Sequence, residues 1–204
     1  MMRVKLEQLA AGIFTGQIMS RVAYKEDESG PTDGKVEKVL VPSAISGGVV
    51  VHTNLGSAVL KREIDKNRLT EDGDIVIKLS SPYDCALITG EDTGLIVPSF
   101  CALIKKVDSA VVYPAYLVGV LNSQVTQSRL IAGINSSAMA MVRQKSLVEL
   151  EITLPDYAHQ KTVGKAYWAS CRKKAKLQEM VAYQQRVSDA IMLASIVEVA
   201  RHES

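Results

Sequence analysis

Short apolar runs rich in β-branched residues, each bounded by Gly, Pro, Asp or Ser, fill the chain from Val39 to Lys106. The runs are VLVPSAI, GGVVVHTN, GDIVIKLS, CALITG and GLIVPSFCALIKK. Runs of this length and spacing are typical of short strands separated by turns. The pattern predicts a small, curved, mostly antiparallel sheet, in which the Gly-Gly pair of SGGV forms a hairpin turn.

The hydrophobic period lengthens in the segment YPAYLVGVLNSQVTQSRLIAG, which starts at Tyr113. Steps of three or four place four residues on one helical face: Leu117, Leu121, Val125 and Ser128. Pro114 suits a first helical turn and Gly133 a helix end. We therefore predict one or two helices packed on the sheet. The segment SLVELEITLP then predicts a short turn or helix and a last strand that stops at Pro155.

From about His159 onward helix formers dominate, and no Pro follows Pro155. An apolar seam interrupted by one Gln steps by three or four through Leu177, Met180, Gln184, Val187, Ile191 and Ala194. This spacing predicts one long helix whose seam packs against a helix of another chain, with Gln184 fixing the register. A helix folded back into a hairpin around YQQRVSD is the alternative.

These patterns predict an α+β fold: a small curved, mostly antiparallel sheet domain with packed helices over residues 1–157, and one long C-terminal α-helix over 158–204. The polar run YKEDESGPTDGKVEK has the Gly, Pro and Asp content of an exposed loop inside the first part.

The composition of the chain argues against several classes of protein. Hydrophobic residues make up 47% of the 204-residue chain, enough for a real core. The formal net charge is only +2, so any binding of nucleic acid must rest on a local patch. Three cysteines without a CxxC pair indicate a reducing, cytoplasmic compartment. The longest apolar stretch, near AIMLASIVEVA, is too short to predict a membrane span.

Three groups of residues occur in the order of a known family pattern. They are a Leu shortly before Gly-Asp-Ile, a Tyr-Leu helix, and Leu-Pro followed by a Gln that opens a helix. The matching residues are Leu69, Gly73, Asp74 and Ile75, then Tyr116, Leu117, Leu121 and Ser123, then Leu154, Pro155 and Gln160. In this order the chain resembles half of a specificity subunit of the type I restriction-modification enzymes. It departs from the family pattern at Asp156, Ala158 and His159.

The resemblance implies a target-recognition domain followed by a spacer helix, acting on double-stranded DNA without catalysing a reaction. It implies methylation and restriction subunits as partners, which would bind S-adenosylmethionine and ATP, and no cofactor on this chain. A bipartite target would require two such chains, either a homodimer or a pair with a second half-subunit, joined through the long helix.

Candidate DNA contacts lie in three segments that combine basic and short polar side chains. After the strand DIVI come Lys78 for a phosphate, Ser80 and Ser81 for phosphate or base edges, and Tyr83 for stacking. Around INSSAM lie Arg129, Asn135, Ser136 and Arg143. By resemblance, an N-terminal groove-facing loop adds Thr15, Gln17, Arg21 and Lys25. Ordinary turn chemistry and a solvated charged face are the competing interpretations of these segments.

The sequence argues against two classes of catalytic or metal site. The tetrapeptide SSPY is one residue from the motif of amino-methyltransferases, but Ser81 stands where the first Pro belongs and no Gly-rich cofactor turn precedes it. The histidines His52, His159 and His202 have no metal-ligand spacing with Cys or carboxylates. A protein-interaction adaptor or inhibitor that binds through the long helix remains the competing hypothesis to DNA recognition.

Overall fold

The computed structural model describes residues 1–24, 35–132 and 141–202, with side chains as far as residue 196. At the centre of the protein is a four-stranded antiparallel sheet formed by Ala10–Thr15 (β2), Ile75–Lys78 (β7), Cys85–Leu87 (β8) and Cys101–Val107 (β9). The spatial order of these strands is β2, β9, β7, β8. The sheet confirms the predicted fold class, as does the long helix at the C-terminus.

The central strand β7 is buried on both faces. Ile75 and Ile77 belong to one apolar cluster, together with Leu117 and Leu121. Val76, which points to the opposite face, packs in a second cluster with Leu103. Because successive side chains of a strand point to opposite faces, the unbroken apolar run DIVI supplies both cores at once.

Three two-stranded ribbons surround the central sheet. They pair β1 (Met2–Lys5) with β10 (Glu151–Leu154), β3 (Val36–Val39) with β6 (Gly56–Val59), and β4 (Ile45–Ser46) with β5 (Val49–Val50). The turn of the last ribbon holds Gly47 at φ +54° and Gly48 at φ +97°. Positive φ at both central residues is the geometry of a tight hairpin, so the Gly-Gly prediction is confirmed.

Two helices follow the sheet, α1 (Pro114–Leu121) and α2 (Gln124–Ala132), and α3 (Gln144–Val148) precedes β10. The predicted apolar face holds for Leu117 and Leu121, which are fully buried, but is wrong for Val125, which is 63% exposed, and for Ser128, which is exposed as well. The helix breaks at Asn122–Ser123, and the face of α2 turned to the core is instead formed by Thr126 and Leu130. A single periodicity cannot cross that break.

Asn122 closes the outer edge of β8. Its side-chain amide accepts a hydrogen bond from the backbone N–H of Cys85 (2.8 Å) and donates one to the Cys85 carbonyl (3.0 Å). The same amide nitrogen lies 3.0 Å from the Tyr167 hydroxyl. Further along this edge, the N–H of Leu87 donates to the carbonyl of Gly48 (3.0 Å).

The Gly-Asp-Ile segment forms a buried polar junction. Gly73 takes φ +82°, and the Asp74 carboxylate accepts the backbone N–H groups of Glu71 (2.8 Å) and Lys106 (2.9 Å). The Lys105 ammonium lies 3.0 Å from Asp74 Oδ2 and donates to the Leu69 carbonyl at 3.0 Å. The junction thus ties the start of β7 to the end of β9.

The long helix α4 runs unbroken over Tyr157–His202, which excludes the hairpin alternative. Asp156 caps the start of α4, since its carboxylate accepts the His159 N–H at 2.9 Å. Gln160 is almost completely buried. It accepts from the Tyr113 N–H (3.1 Å) and donates to the Pro155 carbonyl (3.0 Å). The Leu-Pro and Gln of the family pattern are therefore parts of one connection between β10, α1 and α4.

Among the side chains of α4 that the structure describes, those that pack on the body lie in the first part of the helix. Gln160, Gly164 and Cys171 are buried, whereas residues 176–196 are exposed apart from a half-buried Val187. The whole helix extends about 70 Å, and its part beyond residue 175 extends about 40 Å from the body. No helix among the described residues is long and apolar enough to cross a membrane.

Replacing Gly164 by Ala is expected to lower the free energy of unfolding by about 2 kcal/mol, the usual cost of overpacking a core. A Cβ at this position would lie 2.5 Å from the Tyr113 ring and 2.7 Å from the Tyr116 backbone nitrogen. Chemical denaturation measures the loss. Gly90→Ala is the matched control, because nothing lies within 4 Å of its Cβ position, and an equal loss in both variants would contradict the close packing of α4 on α1.

Candidate nucleic-acid interface

Four chain segments meet at one end of the central sheet. The N–H of Gly16, just after β2, donates to the Cys101 carbonyl at the start of β9 (2.9 Å). The N–H of Leu79, just after β7, donates to the Phe100 carbonyl (2.9 Å). Beyond it, the N–H of Val142 donates to the Leu79 carbonyl (2.7 Å). Segments that are far apart in sequence thus form one continuous backbone edge.

The side chains at this edge form a mostly polar surface. The Thr15 hydroxyl donates to Gln144 Oε1 at 3.3 Å, and the Gln144 amide nitrogen donates to the Ile13 carbonyl. Arg143 is exposed directly before α3. We call this region the sheet-end surface, and it consists of Thr15, Gln17, Ser80, Ser81, Phe100, Arg143 and Gln144.

Basic side chains extend the sheet-end surface on the side of β2. Arg68 Nη1 donates to the Gly16 carbonyl at 3.2 Å. Arg62 Nε donates to the Arg21 carbonyl at 2.8 Å, which holds the two exposed arginines next to each other. The Lys61 ammonium lies 4.9 Å from the centroid of the Tyr24 ring. The backbone and ring contacts orient these cations while leaving positive charge at the surface.

The structure unites three predicted segments that the sequence kept apart: Thr15 and Gln17, Ser80 and Ser81, and Arg143. Sequence reasoning missed Lys61, Arg62, Arg68, Phe100 and Gln144, which join them. For Phe100 a signal existed, because an aromatic residue after Pro-Ser directly precedes the apolar run CALI that opens β9. For the cations no local signal existed, since their proximity depends on how β6 and its neighbours return to β2.

Lys78 and Tyr83 do not lie on this surface. Lys78 has a side chain only 9% exposed, and its ammonium lies 3.2 Å from Asp84 Oδ2. Tyr83 is 5% exposed and belongs to the apolar cluster beneath the sheet. The turn between β7 and β8 folds both side chains inward, so neither is open to a phosphate or a base in this arrangement.

The remaining candidates divide into two groups. Arg129 lies elsewhere, in a shallow pocket with Arg3, Ser146, Glu149 and Glu151 beside the β1–β10 ribbon. Lys25, Asn135 and Ser136 lie outside the described residues. Their predicted contacts with DNA stay predictions.

The described residues offer little for covalent or metal chemistry. They contain no group of His, Cys, Asp and Glu that could hold a metal ion. Burial raises the pKa of Cys101 to about 12 and also raises the pKa of Cys85, so both thiols stay protonated near neutral pH. His52 Nε2 lies 2.7 Å from Asp92, which also accepts from Thr89. The His52–Asp92 pair stabilises a turn. Separately, the burial of Tyr83 argues against the methyltransferase interpretation of SSPY, because a buried ring is not open to a flipped base.

Searches against known proteins found likeness in three-dimensional structure. No protein-family model and no curated protein matches the sequence. The HsdS subunit from Thermoanaerobacter tengcongensis is 15% identical, with a TM-score of 0.62, over 94% of this chain and 47% of that one. A chain from a structural study of complex assembly and conformational transition of the type I R-M system is 16% identical, with a TM-score of 0.62, over 97% and 49%.

The S subunit of a type I restriction-modification system from M. genitalium is similar as well, at 17% identity and a TM-score of 0.50, over 81% of this chain and 37% of that one. This chain therefore spans about half the length of the first two of these structures and 37% of the third. The resemblance found in the sequence is confirmed at the level of the fold. The chain has the fold of one half of a type I specificity subunit.

Proposed function

We propose that this protein recognises a DNA sequence as a non-catalytic, half-length specificity subunit of a type I restriction-modification system. Residues 1–157 act as the target-recognition domain and 158–204 as the spacer and dimerisation helix. The observation that carries the proposal is the sheet-end surface, where polar and basic side chains from four separate segments meet on this fold.

The sheet-end surface divides into parts suited to different contacts. Arg21, Arg62 and Arg143 are exposed and can neutralise phosphates, which supplies affinity without sequence information. Gln17 carries an amide that can pair with adenine through one donor and one acceptor, whereas the Gln144 amide is already bonded to Thr15 and Ile13 within the protein. Backbone hydrogen bonds hold the loop that carries Gln17, so little conformational freedom is lost when it binds.

The exposed part of α4 is the surface for a second chain. Three residues of the predicted seam, Leu177, Met180 and Ile191, are exposed apolar residues, and Val181 beside the seam is a fourth. These four residues are 52–70% exposed. Gln184 and Ala194 are exposed on the same helix, and Val187 is half-buried. A paired helix would bury this apolar area, and the one Gln among apolar neighbours would favour a single register.

Two paired chains would hold two recognition domains apart and read a bipartite site. Methylation and restriction subunits would then act at that site in the cytoplasm, using S-adenosylmethionine and ATP bound on those partners. In this arrangement the present chain contributes position and sequence choice, and no reaction step.

The direct test is selection from a library of random duplexes with the full-length chain, alone and with its methylation subunit. The expected result is enrichment of two short half-sites separated by a fixed number of unspecified base pairs. Enrichment of no sequence in either form would reject DNA recognition. It would favour the adaptor hypothesis, which is supported by the exposed apolar residues of α4.

Inserting seven residues after Gln185 is expected to lengthen the spacer of the selected site by about three base pairs. Seven helical residues add about 10 Å and keep the heptad seam in phase. Repeating the selection with the variant measures the spacer. A seven-residue extension after Ser204 is the control, since it lengthens the chain without separating the domains. An unchanged spacer in the insertion variant would reject the proposal that α4 sets the distance between the half-sites.

A further inference from the structure

Phe100 is an exposed aromatic residue at the centre of the sheet-end surface. Its side chain is 49% exposed, whereas the other phenylalanine, Phe14, is partly buried within β2. The other exposed aromatic residues among the described residues lie outside the sheet-end surface. Tyr157 packs edge-on against Tyr113, and Tyr183 lies on the free part of α4. Phe100, in contrast, is exposed in the turn before β9, and its neighbours on the sheet-end surface are mostly polar.

The backbone around Phe100 is fixed on both sides. Ser99 N–H donates to the Gln17 carbonyl (2.8 Å), and the N–H of Cys101 donates to the Pro98 carbonyl (2.9 Å). The Phe100 carbonyl itself accepts from Leu79 (2.9 Å). The ring is therefore held out by an ordered turn, and its exposure does not result from a loose loop.

The neighbours of Phe100 indicate what it contacts. Gln17 and Leu79 hold its turn, and each leads to further polar groups of the sheet-end surface. Arg68 is bound to Gly16 on one side, and Arg143 follows Val142 on the other. A rigid apolar ring between hydrogen-bonding amides and flanking cations fits a stacked base step between two phosphate backbones. An apolar protein partner would leave both cations facing apolar surface.

We propose that Phe100 inserts as a wedge between two adjacent base pairs of the duplex and makes the site depend on the flexibility of that step. The inference rests on the proposed function and deepens it, because it assigns part of the sequence choice to DNA deformation. Apolar wedges kink a duplex by roughly 20–90°. Pyrimidine–purine steps unstack most easily, so such a step is expected at the position that Phe100 meets.

The test uses the duplex that the wild-type chain selects, labelled at its ends with a fluorescent donor and acceptor. Wild type is expected to shorten the end-to-end distance, and Phe100→Ala to lose that shortening together with at least about tenfold in affinity. Phe100→Leu should keep most of both, because leucine is also a wedge residue. Ile131→Ala is the matched control: Ile131 is 46% exposed on α2, outside the sheet-end surface.

Each outcome decides the proposal. Loss of shortening with Phe100→Ala, but not with Ile131→Ala, supports the wedge. Unchanged shortening with Phe100→Ala overturns it, as does a straight duplex with wild type. Thermal unfolding checks that all three variants fold, which is expected for half-exposed side chains. If the wild-type chain selects no duplex at all, the proposed function fails first, and that result is distinct from a failure of Phe100 alone.

Discussion

Raising the salt concentration from about 50 to about 200 mM is expected to weaken binding of the selected duplex by roughly 10³- to 10⁵-fold, for a pair of chains that neutralises about six to ten phosphates. The cations that make this plausible are exposed and grouped: Arg21, Arg62 and Arg143, together with the half-buried Arg68. The chain's net charge of +2 cannot produce so steep a dependence without such a local patch. Fluorescence anisotropy over a series of salt concentrations measures this dependence of the affinity.

Arg143→Ala tests whether the dependence comes from the sheet-end surface. Because each lost phosphate contact lowers the logarithmic slope by about one, a pair of variant chains should lose about two. Arg3→Ala is the control, since it removes the same charge in the β1–β10 ribbon. Equal slopes for the two variants would mean that overall charge, and not this surface, governs binding.

Replacing Asp74 by Asn is expected to lower the free energy of unfolding by about 3 kcal/mol, the scale for breaking a buried ion pair. The Asp74 and Lys105 side chains are 1% and 5% exposed, and their charged atoms are 3.0 Å apart. The substitution leaves the Lys105 ammonium with less compensation inside the protein. It also places an amide where two backbone N–H groups, of Glu71 and Lys106, donate. Urea denaturation followed by circular dichroism measures the change.

Glu71→Gln is the control for that substitution. Glu71 Oε1 lies 3.2 Å from the same ammonium, but its side chain is 52% exposed, so solvent screens the interaction. The expected loss is below about 1 kcal/mol. Similar losses for the two substitutions would show that burial of Asp74 does not set the strength of this junction.

The sequence predicted the long helix and the strands well, for a physical reason. A segment without Pro and with few Gly leaves helix-forming residues no competing local structure, and α4 accordingly runs from Tyr157 without a break. The apolar runs between turn residues likewise became β7, β8 and β9. These are local properties, which neighbouring residues determine.

The surface was only partly predictable because it depends on strand order. Thr15, Ser80 and Arg143 lie in three separate segments of the sequence. The strand order β2, β9, β7 brings the first two to one edge, and the hydrogen bond from the Val142 N–H to the Leu79 carbonyl adds the third. For Lys78 the predicted position on the surface was wrong. It follows an apolar run, where a strand usually leaves the core, but its partner Asp84 returns on the next strand and neutralises it inside. Spacing along the chain does not reveal such a return.

The side chain of Asn122 also affects how the molecule meets other copies of itself. An unpaired strand edge is a template for edge-to-edge pairing with another chain. At Cys85 the amide of Asn122 occupies both backbone groups of that edge, and the Tyr167 hydroxyl of α4 contacts the same amide. Loss of that contact would leave Asn122 less firmly held at the edge of β8. Correct placement of the helix then supports the protection of this edge against aggregation as well as setting the geometry of the protein.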